Sequence, residues 1–168
     1  MGRLLAAVAV VVGALAASAT LAASTALDAC RDDVVRLRGD WGQAQFQVEL
    51  ADDAESRATG LMHRLDLAHG AGMLFIYPQA QPVAFWMRNT LIELDMVFID
   101  SRGRVLRVHP RAQPLDETPI PSGGAVRFVL EIRGGLAHSL GIAPGSEMQH
   151  PAIPLAQAVW PCPLREGL

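Results

Sequence analysis

Val126, Phe128, Leu130 and Ile132 alternate with Arg127, Val129, Glu131 and Arg133. Only a β-strand places every second side chain on one face, so this alternation commits the chain to a sheet. The same period returns earlier, where Ala44, Phe46, Val48 and Leu50 alternate with Gln43, Gln45, Gln47 and Glu49. Val35 and Leu37 precede that strand across the turn residues Gly39-Asp40-Trp41-Gly42, which predicts a hairpin. Short apolar runs at Met73–Tyr77, Val83–Met87 and Leu94–Ile99 read as strands by length and by aromatic or β-branched content. Asp100-Ser101-Arg102-Gly103 is a turn signal, and Val105, Leu106 and Val108 carry the chain back.

Two short helices interrupt this pattern. Asp52 with Glu55 has the spacing of a capping box, Ala54, Ala58 and Leu61 share a helical face, and Gly60 is the stop. A second helix is expected from Gly135 to Leu140, ended by Gly141. The prolines and glycines between His109 and Gly124 predict an exposed loop. The expected fold class is therefore mostly β, a β-sandwich or barrel-like domain of about seven strands with two short helices.

The first residues read differently. Arg3 is followed by Leu4–Ala17, where Gly13 alone is not apolar, which is the pattern of a signal peptide. Small residues allow cleavage after Ala19 or Ala26, so residues 1–26 are expected to be a leader to a periplasmic or secreted location. An uncleaved anchor over Leu4–Ala23 is the alternative. Two cysteines bracket the remainder. In an oxidising compartment Cys30 and Cys162 read as a disulfide tying the chain ends together, with the proline-rich tail, residues 151–168, held by Cys162. In the rival reading, Leu27-Asp28-Ala29-Cys30 is a lipoprotein box and Cys30 carries a lipid anchor, the one route to membrane attachment.

Charge removes several function classes. The net charge is −3, so the basic footprint of a nucleic-acid binder is missing. All 14 cationic side chains are arginine, and a chain without lysine has no Schiff base and no phosphate-loop lysine.

Four ordered blocks carry a resemblance: Arg57-x-x-Gly60-Leu61-Met62-x-Arg64, Gly72-Met73-Leu74-Phe75, Phe85–Ile99 and Leu130-Glu131-Ile132-x-x-Gly135. In these, the chain resembles the DUF192 family, also called UPF0127, over residues 34–150. Glu93 stands where that family usually has proline and His63 where it often has an aromatic residue. The resemblance implies a compact, mostly β domain, frequently exported, with no reaction attached to it.

The block from Phe85 to Asp95 is the densest in chemistry. Trp86 and Arg88 offer a stacking face and an anion fork, and Asn89, Thr90 and Asp95 offer oriented hydrogen bonds, as a shallow ligand site requires. Asn89 and Thr90 equally suit the capping of a backbone turn. Asp95 and Glu131 are carboxylates inside apolar runs, so each either has a raised pKa or pairs with arginine, with Arg57, Arg64 and Arg88 as the expected partners. The expected ligand-binding set is thus Trp86, Arg88, Asn89, Thr90, Asp95, Arg64 and Glu131, with no assigned catalytic residue, metal ligand or cofactor. The leading reading is a binding or accessory module of the bacterial envelope that engages a small molecule or an envelope component. A second reading is an envelope hydrolase with Asp95 and Glu131 facing one another as acid and base. A third is copper handling by Met62, His63, His69, Met73 and Met87.

Overall fold

The computed structural model describes residues 30–163, so the leader expected at residues 1–26 lies outside the described residues. Seven strands follow in chain order: β1 (Val34–Gly39), β2 (Gly42–Ala51), β3 (Ala71–Phe85), β4 (Leu94–Ile99), β5 (Val105–Ala112), β6 (Ile120–Arg133) and β7 (Glu147–Gln149). Helix α1 (Ala54–Thr59) lies between β2 and β3, and α2 (Leu136–Leu140) between β6 and β7. The strands form one sheet in the order β5-β4-β6-β3-β2-β1-β7. Only β2 and β3 are parallel neighbours, and a parallel pair needs a crossover, which the segment carrying α1 provides.

The sheet curls until its two outer strands meet at one end. Arg104 bridges to Glu147, the Val105 N–H donates to the Ser146 carbonyl at 2.8 Å, and the Gly145 N–H donates to the Val105 carbonyl at 2.9 Å. Of the two architectures expected from the periodicity, the barrel-like one is present, as a half-barrel of one sheet.

Both faces of the central strands are covered. Val97, Ile99, Phe128, Leu130 and Ile132 join one core cluster with Val35, Leu37, Phe46 and Leu74. Met96, Phe98 and Val129 join a second with Met73, Phe75, Leu61 and Met87. Every residue of β4 is buried, which is why Leu94–Ile99 is a continuous apolar run rather than an alternating one.

Asp95 is the exception within that run, with none of its surface exposed. Its carboxylate accepts three backbone hydrogen bonds, from the N–H groups of Arg111 at 2.8 Å, Gly135 at 2.8 Å and Ala137 at 2.7 Å. The arginine partner expected from the sequence is replaced by main-chain donors, two of them at the start of α2. These orphan donors need a partner, and Asp95 supplies it from the sheet.

Three local expectations are corrected. The cap of α1 is Asp53 with Ser56, one residue beyond the expected Asp52 and Glu55; the Asp53 carboxylate accepts from the Glu55 and Ser56 N–H groups at 2.8 and 2.9 Å. The expected loop from His109 to Gly124 is shorter, because β5 continues to Ala112 and β6 begins at Ile120. Proline is tolerated in both strands: Pro110 lies on an outer strand, and Pro121 in a stretch that pairs with β3 alone. The runs Met73–Tyr77 and Val83–Met87 belong to one bulged strand ending at Phe85, so Met87 is a buried loop residue.

The chain ends are fastened together. Cys30 and Cys162 are at disulfide distance with Cα atoms 5.8 Å apart, closing a separation of 132 residues. His150 donates from Nε2 to the Asp32 carbonyl at 2.9 Å, Gln149 donates to the Pro161 carbonyl at 2.9 Å, and Arg38 lies 4.5 Å from the Trp160 ring centre.

Two consequences are measurable by urea unfolding. Cys30→Ser should lower stability by up to about 5 kcal/mol, the chain-entropy value for so long a loop, and an unchanged midpoint would show that the neighbouring contacts hold the ends alone. Asp95→Asn should cost about 2 kcal/mol or more, since its amide group would face a main-chain N–H donor in a buried site.

Candidate functional site

The parity of β6 gives Glu131 the opposite face from Asp95. Asp95 is in register with Ile132 and Met96 with Glu131, so the two carboxylates project to opposite sides of the sheet. Across its own face Glu131 is flanked by Met73 of β3 and Met96 of β4, neither of which offers a strong hydrogen bond. Glu131 is 5% exposed, and no hydrogen bond or ion pair to its carboxyl group is present among the described residues. Burial alone pushes its pKa up to about 8.

Glu131 faces a cavity of about 220 Å³. The end of α1 and the segment to Met62 form one wall of it, Phe75 and Tyr77 of β3 another, and Phe85, Trp86 and Thr90 a third. Phe85 packs edge-on against Phe75, with ring centres 4.9 Å apart, and against Phe98 at 6.0 Å. Gly60 ends α1 at φ 51°, and a Cβ there would come within 3.1 Å of the Phe75 ring, so glycine lets the wall close on that ring. Arg57 is held in place by donating to the Ile76 carbonyl at 2.9 Å and to the Asp52 carbonyl, with its guanidinium 5.3 Å from the Tyr77 ring centre. Burial raises the pKa of the Tyr77 hydroxyl, and Arg57 opposes that rise. Trp86 lines the cavity while 48% exposed, beneath Arg88 at 5.9 Å.

Two larger cavities exist, of about 620 Å³ beside Trp41 and about 300 Å³ beside Glu93. In them Arg38 is paired with Glu147 at 2.8 Å, Trp41 with Ser146 at 3.0 Å, and Glu93 with Arg111 at 2.9 Å. The small cavity differs in holding an acid, Glu131, that is 5% exposed and has no hydrogen-bond partner among the described residues.

The DUF192 model, described as "Uncharacterized ACR, COG1430", matches residues 35–150. The chain belongs to the DUF192 family. Among solved structures, it is 43% identical to a protein of unknown function from Novosphingobium aromaticivorans DSM 12444, with a TM-score of 0.67 over 68% of this chain and 82% of that one. It is 40% identical to a Sinorhizobium meliloti 1021 protein described as a "putative transcription regulator", again at TM-score 0.67, over 68% of this chain and 90% of that one. No curated protein matches the chain.

In this DUF192 domain, Trp86, Thr90 and Glu131 of the expected set line one cavity. Asn89 stands beside it: its backbone is left-handed at φ 53°, its carbonyl accepts from the His63 N–H at 2.8 Å, and its side-chain amide lies 3.9 Å from the Met62 sulfur. Thr90 donates to the Arg88 carbonyl at 3.3 Å, so of the turn-capping pair expected from the sequence the Thr90 side chain bonds the turn, whereas that of Asn89 lies against Met62. Arg64 instead forms a bidentate pair with Glu49, both bonds 2.6 Å, and Asp95 is on the far face. An acid and base pair of Asp95 with Glu131 therefore has no common cleft. Of the methionines expected for copper, Met73 and Met87 are packed among apolar side chains in the second core cluster. No group of three or more His, Cys, Asp or Glu side chains suited to a metal is present among the described residues. The sequence reading did not place Phe75, Tyr77, Phe85 or Arg57 in a site. The parity of β3 gives a signal for Phe75 and Tyr77, both on the Met73 face.

Glu131 makes a sharp prediction. Its pKa is raised on folding, so the folded chain holds this proton more tightly than the unfolded chain does. The resulting stability is complete below about pH 4.5 and is lost as pH rises through about 8, with a slope of at most about 1.4 kcal/mol per pH unit. His109 and His150, whose pKa values burial lowers, act in the opposite sense, so the readout is a difference. The stability of Glu131→Gln minus that of the parent should grow with pH across this window; a flat difference would mean that Glu131 ionises freely in the folded state.

Proposed function

We propose that this chain is an exported binding domain of the bacterial envelope, which takes a small molecule in the cavity over Glu131. One observation carries the reading: Glu131 is only 5% exposed, its carboxyl group has no protein partner among the described residues, and what surface it keeps opens onto an aromatic-walled space. Buried polar groups are nearly always satisfied, and the exceptions call for a reason. A ligand is such a reason, since it would provide the missing hydrogen bond only when bound.

The walls fit this role. Phe75, Phe85 and Trp86 supply apolar contact area, Glu131 a single point of polar recognition, and Thr90 and Tyr77 further hydroxyl groups at the boundary. At about 220 Å³ the space falls below the roughly 300–1,000 Å³ typical of drug-sized ligands, which favours a fragment-sized molecule. Export is supported by the signal-peptide pattern of residues 1–26 and by the cysteine pair at disulfide distance, an arrangement that persists in oxidising compartments. Lipidation of Cys30 would be incompatible with that pair. Hydrolysis by two carboxylates is not favoured, because Asp95 and Glu131 are on opposite faces.

The test uses the mature protein recovered from the periplasm of a Gram-negative host, isotope-labelled and titrated with a library of small fragments. Binders should shift the amide signals of Tyr77, Trp86 and Thr90 together, and Glu131→Leu should change which fragments bind. Recovery of the chain in the cytoplasm with its leader intact would overturn the export reading. A library that leaves the cavity signals unmoved would overturn the binding reading.

A further inference from the structure

We propose that the cavity selects an uncharged ligand bearing a carboxamide, open-chain or closed as a lactam, and that this group pairs face to face with the Glu131 carboxyl. The proposal rests on the binding reading above and names the ligand class.

β3 and β4 present Met73 and Met96 to Glu131, and the cavity beyond is bounded by Phe75, Phe85 and Trp86. The other charged or titratable groups of this cavity are Arg57 from α1 and Tyr77 from β3. Arg57 does not neutralise Glu131: burial is the one cause of its displaced pKa, and the Arg57 Nη1 is committed to the Ile76 and Asp52 carbonyls. Without a countercharge, an acid in such a place keeps its proton.

A protonated carboxyl group presents an O–H donor and a C=O acceptor side by side. Its complement is a group with an acceptor beside a donor, which is a carboxamide: the ligand C=O accepts from the Glu131 O–H, and the ligand N–H donates to the Glu131 C=O. A cationic ligand would have to ionise Glu131 and would meet the charge of Arg57 in the same cavity. An anionic ligand would bring a charge into the space whose desolvation already keeps Glu131 neutral, where the Arg57 Nη1 is already committed to carbonyls. An apolar ligand without polar atoms would leave Glu131 without a partner. Among these four classes the amide alone meets both of its needs.

Four probes of similar size separate these cases: benzamide, toluene, benzoate and benzyltrimethylammonium, each titrated into the mature protein and followed by the amide signals of Tyr77, Trp86 and Thr90. Benzamide should bind more tightly than either charged probe. Glu131→Leu should weaken benzamide by about tenfold, the loss expected for a buried hydrogen-bonded pair, while leaving toluene as tight or tighter. Glu131→Gln keeps a donor beside an acceptor, so it should retain benzamide within a few-fold. The parent's affinity should fall as pH rises past about 8, whereas that of Glu131→Gln should stay level. Tighter binding of benzoate or of the ammonium, or equal weakening of benzamide and toluene by Glu131→Leu, would overturn the amide proposal and leave the binding reading standing. Absence of all four from the cavity would overturn the amide proposal as well, and only a silent fragment library would remove the binding reading with it.

Discussion

Burial of β4 and β6 on both faces is the constraint from which the rest of this structure follows. A strand covered on one side has somewhere to put its polar residues, but the centre of this sheet does not. Val97, Ile99, Leu130 and Ile132 fill one side, and Met96, Phe98 and Val129 fill the other. Each polar side chain in these strands must therefore find a partner inside the protein, lose its charge, or be matched by something that arrives from outside. Asp95 and Glu131 show two different outcomes of the same constraint.

Asp95 is matched from within. Three main-chain N–H groups converge on it, and in meeting them the carboxylate links β4 to the end of β5 and to the start of α2. This use of a charge is architectural: the donors belong to backbone that would otherwise be left unsatisfied at a helix start and a strand end. Glu131 receives nothing comparable, since its neighbours across the sheet are thioethers and its cavity wall is aromatic. An acid held in this way destabilises the fold relative to an apolar residue of the same shape. Among the described residues the cost falls on Glu131, the buried acid that lines a cavity.

The strands that alternate were legible from residue order, because β2 and β6 each have an apolar and a more polar side and the period of two is visible without any partner. The ends of elements were less so. Asp52 and Asp53 are adjacent and either can cap a helix, so the choice of Asp53 depends on how β2 delivers the chain. Pro110 and Pro121 argued for a loop, and the argument failed because both stand where one side of the strand needs no ladder hydrogen bond. For the site, the sequence singled out Trp86, Thr90 and Glu131, which the structure brings to one cavity, but could not separate Glu131 from Asp95. Both are lone carboxylates in apolar runs. Which face each takes is fixed by the register between β4 and β6, a contact across more than 30 residues that no local pattern encodes. The same holds for the wall from α1, which only the β2–β3 crossover brings over the sheet.

The rim of the cavity carries the remaining strain. Three residues other than glycine adopt left-handed backbone in the neighbouring loops: His63 at φ 63°, Asn89 at φ 53° and Leu115 at φ 65°. For Leu115, which has no short polar side chain to ease it, this conformation costs on the order of 1 kcal/mol. Hydrogen bonds between the three loops hold them there. His63 donates to the Asn89 carbonyl at 2.8 Å, Leu115 to the Met87 and Thr90 carbonyls at 3.1 Å each, and Met87 to the Asp116 carbonyl at 2.7 Å. The segment from Trp86 to Thr90 is thereby pinned from both sides before any ligand is present. A loop left free would have to be ordered on binding, and that ordering would subtract from affinity. The strained turns thus do for the mouth of the cavity what the two-sided sheet does for its floor: they fix the positions of the side chains that line it.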